Sequence, residues 1–88
     1  MEIQEVKTVI KATQRTDNAL YVIQYIFQEK KLEYVRTDVI VEPEESPLRI
    51  GSIEWQNNTI NIQDFPLNEK THIYISDFND IVVDIQSI

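Results

Sequence analysis

The chain offers few side chains whose type and spacing could do chemistry, and none forms a set. His72 is the only histidine and there is no cysteine. A nucleophile would therefore have to be a Ser or Thr activated without a neighbouring Ser-His-Asp pattern, and none of recognisable spacing is present. Asp77, Asn79 and Asp80 look like the opening of a calcium loop. The EF-hand pattern then requires Asp or Asn at Ile81, Gly at Val82 and Glu at Ile88, so these three read as turn residues. A phosphate-cradling loop needs several glycines, and Gly51 is the only one. Asn57-Asn58-Thr59 fits the glycosylation acceptor pattern, which carries little meaning without a secretion signal. The sequence thus predicts no catalytic residue, no metal and no cofactor, and a protein that is not an enzyme.

Charge narrows the partners. Residues 1–41 hold six basic and six acidic side chains, whereas residues 42–88 hold two basic and nine acidic, so the net charge of -7 lies in the second part. Such a balance repels phosphates, and no dense basic patch offsets it, so direct DNA or RNA binding is not expected. Scattered acids keep a sheet protein soluble and discourage edge pairing. The alternative is a small acidic inhibitor or immunity-type protein that occupies a basic groove, with Glu42, Glu44 and Glu45 as its leading charges.

Eighty-eight residues predict one domain, 1–88, able to bury roughly 60 to 65% of its unfolded surface without a disulfide. Glu2 to Lys11 is charged and alternating, and no run of apolar residues is long enough to span a bilayer. The expected location is cytoplasmic or virion-associated. Fourteen Ile against four Leu favours strands, and the same bias is compatible with an AT-rich bacterial or phage genome.

Alternation and turn residues predict an all-β fold, a seven-strand antiparallel meander closing into a small sandwich or barrel. Asp17-Asn18, residues tolerant of positive φ, make a two-residue turn that pairs Thr16 with Ala19, Ala12 with Ile23 and Ile10 with Tyr25. A charged loop at Glu29 to Lys31 then sets Tyr25 against Val35 and Tyr21 against Val39. Glu42 to Pro47 breaks the chain, and Gly51 marks a bulge where apolar parity shifts. Asn57-Asn58 pairs Trp55 with Ile60 and Ile53 with Ile62. Ile73 and Ile75 face Ile81, Val83 and Ile85 across a Phe78-Asn79-Asp80 loop as a last hairpin, with His72 on its polar face. An α+β alternative places a helix at about 19–34, capped by Asp17.

The first three strands leave a second face on which Val9, Ile26 and Tyr34 line up, with Leu20, Val22 and Ile40 nearby and Lys7, Lys11, Gln24 and Arg36 between them. Either the C-terminal hairpins cover this face, or it is a protein-binding surface centred on Val9, Lys11, Ile26, Tyr34 and Arg36. The functional expectation is a non-enzymatic interaction or assembly module, acting on a protein partner or on its own copies and not on a membrane.

Overall fold

The computed structural model describes residues 7–41, 48–65 and 70–87. Five antiparallel strands follow one another across a single sheet: β1 (Lys7–Arg15), β2 (Leu20–Gln28), β3 (Lys31–Val41), β4 (Leu48–Gln56) and β5 (Thr59–Gln63). One helix, α1 (Thr71–Gln86), covers one face of the sheet. The antiparallel meander is as the alternation predicts. The strand count and closure are not: the described residues form five strands, and β1 and β5 are open edges rather than neighbours in a barrel.

The register of the first hairpins follows from parity. Ala12 pairs with Ile23, Ile10 with Tyr25, Tyr25 with Val35 and Tyr21 with Val39. The route to the last two pairings differs from the predicted three-residue loop. Glu29 and Lys30 form a two-residue turn, at φ 53° and 67°, and a bulge between Ile26 and Phe27 restores the same offset. Asp17 and Asn18 do not take positive φ; Thr16 shapes that turn instead, its Oγ1 accepting the backbone N–H of Asn18 at 3.1 Å and of Ala19 at 3.3 Å. Asn57 and Asn58, at φ 53° and 59°, make the predicted turn and pair Trp55 with Ile60. A register shift between Val39 and Ile40, opposite Gly51, is the predicted bulge. Gly51 is glycine because the Phe65 ring lies on it: a Cβ there would sit 2.5 Å from the ring. The predicted break at Glu42 to Pro47 lies outside the described residues.

The segment predicted as a final hairpin is α1. Its buried residues, Tyr74, Phe78, Ile81, Val82 and Ile85, recur at helical spacing and form one stripe. They pack onto the face carrying Tyr21, Ile23, Val35, Val39 and Ile53, with α1 lying over β3 and β4. Phe78, assigned by sequence to a loop, is fully buried, and His72 is exposed on the helix rather than on a strand. Lys70 at the helix start makes no side-chain cap, and the ends carry no charges that favour the helix dipole. The helix is therefore held by packing, at about 1.5 to 3 kcal/mol for each large side chain buried. The alternative helix at 19–34 is also overturned, because those residues form β2 and the start of β3, which need both neighbours for their hydrogen bonds.

Candidate functional site

With α1 on one side, the opposite face of the sheet is the candidate site, and cross-strand pairing fixes what it presents. Paired residues share a face. Val9 pairs with Ile26 and Ile26 with Tyr34; Lys11 pairs with Gln24 and Gln24 with Arg36; Thr13 pairs with Val22 and Val22 with Asp38. The five residues singled out by sequence, Val9, Lys11, Ile26, Tyr34 and Arg36, therefore come together in two adjacent rows. Arg36 continues to Glu54 and Asp38 to Ser52 on β4.

Neither C-terminal hairpin expected to cover this face does so: β4–β5 extends the same sheet, and the residues of the last one form the helix on the other side. Val9 is 54% and Val22 38% exposed, Lys11 and Gln24 are exposed, and Ile26, Tyr34 and Ile40 are half-buried. The surface is stiffened by polar pairs. Tyr34 Oη donates to Glu54 Oε1 at 3.0 Å; burial, and then that bond, push the phenol above its usual range and keep it neutral. Asp38 Oδ1 takes Arg49 Nε at 3.0 Å and Arg36 Nη2 at 3.6 Å.

Between these pairs lies a shallow depression of about 240 Å³, lined by Lys11, Val22, Ile23, Gln24, Arg36 and Asp38. The Arg36 Nε–H is buried without a hydrogen-bond partner, as is Ser52 Oγ, and such groups normally find one. Lys11 and Arg36 set two cations beside the apolar row, an arrangement able to hold a carboxylate. Among the described residues no three His, Cys, Asp or Glu side chains come together as a metal site, and no helix is long and apolar enough to cross a membrane.

A second polar cluster, invisible to sequence reasoning, lies where α1 meets the β1–β2 turn. Asp77 Oδ2 accepts hydrogen bonds from Tyr21 Oη at 2.7 Å, Thr16 Oγ1 at 2.9 Å and Asn18 Nδ2 at 3.0 Å. Burial pushes the Asp77 carboxyl up, but these three donors outweigh it and hold the carboxyl below its usual range. Burial, and then the Asp77 bond, raise the Tyr21 phenol far above the ordinary tyrosine value. All three bonds meet on one carboxylate oxygen, and together they tie helix to turn. Asp77 is not the turn residue its sequence neighbours suggested, and Asn79 and Asp80 are exposed helix positions.

No family model matches the chain, and neither do any curated proteins or solved structures.

Proposed function

We propose that this protein is a non-enzymatic interaction or assembly module that docks a protein partner on the face of the sheet opposite the helix. The observation that carries the reading is the row Val9, Ile26 and Tyr34, side by side on three strands and bordered by Lys11 and Arg36, on the face that α1 leaves open. Apolar and aromatic groups ringed by long cationic side chains have the composition of interface cores and rims. Stability alone does not call for them, because the opposite face already supplies the core.

Tyr34→Ala and Ile26→Asp test this directly. A half-exposed docking residue removed from the sheet costs the fold about 1 kcal/mol, whereas loss of an aromatic anchor weakens association by about 1 to 3 kcal/mol. Urea denaturation of each variant, set beside its binding isotherm, separates the two. A fall in stability of about 3 to 5 kcal/mol would mark the face as core and end the proposal.

A further inference from the structure

Charge is distributed against the grain of the molecule. The chain carries -7, yet Lys7, Lys11, Arg15, Arg36 and Arg49 occupy positions on the open face of the sheet, against Asp38 and Glu54 there and Asp64 paired with Arg49 at 3.6 Å. The helix on the other side is the reverse. Residues 71–86 hold Asp77, Asp80 and Asp84 and no Lys or Arg, and the outward stripe of α1 runs through His72, Ser76, Asp80, Val83 and Asp84. Val83 is 51% exposed between two carboxylates, an apolar group with an acidic border. It is the complement of Val22 and Ile26 with their cationic border.

We propose that the partner seated on the open sheet face is a second copy of this chain, docking through the outward stripe of its helix. The inference rests on the docking-face reading above. Asp80 and Asp84 are one helical turn apart, about 6 Å along the axis. Lys11 and Arg36 lie on either side of Gln24, two strand spacings or about 10 Å apart at the backbone, and their long side chains close that difference. A carboxylate entering the depression between them meets the Lys11 ammonium and the exposed part of the Arg36 guanidinium, whose side chain is 42% exposed. Val83 then lies on the apolar row.

The two surfaces are on opposite sides of one molecule, so the contact is head-to-tail: each copy that docks still presents its own sheet face to the next. Edge pairing is the weaker route to self-assembly. Two β1 strands overlapped fully about a two-fold axis would set Lys11 beside Lys11 and Lys7 beside Arg15, like charges across a sheet.

Sedimentation velocity and light scattering of the purified chain over a concentration series test the proposal. The expected result is a size that grows with concentration without stopping at two copies and falls as salt rises from about 0.05 to 0.5 M. Lys11→Glu with Arg36→Glu, and separately Asp80→Lys with Asp84→Lys, each reduce the association constant at least about tenfold, and an equimolar mixture of the two restores it. Lys11→Glu alone, at an exposed position, serves if Arg36→Glu beside Asp38 does not fold. A monomer at every concentration in low salt, a closed dimer, or assembly indifferent to both charge reversals overturns the inference. The underlying reading fails differently: Ile26→Asp and Tyr34→Ala then unfold the chain instead of leaving it folded.

Discussion

Removing the Asp77 carboxylate should weaken the hold of the packed helix on the sheet, and the geometry sets the size of the effect. In Asp77→Ala the Tyr21 hydroxyl loses its 2.7 Å acceptor while the residue stays fully buried, an orphaned donor that costs about 1 to 3 kcal/mol. The 2.9 Å bond from Thr16 adds about 1 kcal/mol, and the exposed bond from Asn18 adds almost nothing because water replaces it. The total is about 2 to 4 kcal/mol, or about 4 to 8 °C in Tm for each kcal/mol in a domain of this size. Tyr21→Phe alone should cost about 1 kcal/mol, since it deletes the donor without burying an unpaired one. The double variant has no orphan. It should therefore be more stable than the sum of the singles by about 1 to 2 kcal/mol in a double-mutant cycle. Urea unfolding followed by Trp55 fluorescence for the sheet and by far-ultraviolet dichroism for the helix measures all four proteins. Additivity within about 0.3 kcal/mol would show that the carboxylate does not hold Tyr21, and would refute the reasoning.

The same bond predicts a pH dependence. Because Asp77 titrates lower in the folded chain than unfolded, its contribution is complete above the ordinary carboxyl value of about 4 and is lost as pH falls through its folded value. The stability difference between the parent and Asp77→Asn should therefore shrink below about pH 4, and a difference constant down to pH 2 in dichroism melts would contradict the assignment. Gly51→Ala places a methyl 2.5 Å from the Phe65 ring and should cost about 1 to 3 kcal/mol, with Phe65→Leu in the same chain recovering part of it in thermal unfolding.

The sheet face was legible in the sequence because short loops and a period of two leave one register in which the apolar sides agree. Thr16 opposite Ala19 fixes Ile10 opposite Tyr25, and with it Val9 opposite Ile26. At the second turn the parity of Tyr25 and Val35 survived a misread loop, since the bulge at Ile26 and Phe27 absorbs the residue the shorter turn gives up. The helix was not legible for a reason in its composition. Thr71, Ile73, Ile75, Ile81, Val82, Val83 and Ile85 are β-branched, and the odd-numbered ones among 73–85 alternate like a strand. Without a cap or terminal charges, only Tyr74, Phe78, Ile81, Val82 and Ile85 at helical spacing declare it. Asp77 was beyond reach altogether. Its donors lie 56, 59 and 61 residues away, and no local pattern joins them.

Strands that pair only with their chain neighbours give this protein a vectorial assembly route. Each hairpin from β1 to β5 can close as soon as its second strand leaves the ribosome, because loop closure over so few residues has a small entropy cost. The exception is the layer that seals the core. Until residues 71–86 have been synthesised, Tyr21, Val35, Val39 and Ile53 form an oily floor with no roof, on a sheet whose β1 edge is already available for pairing. A nascent chain stalled after β5 is thus the species most prone to aggregation, and the Asp77 contact with the first turn is the act that retires it.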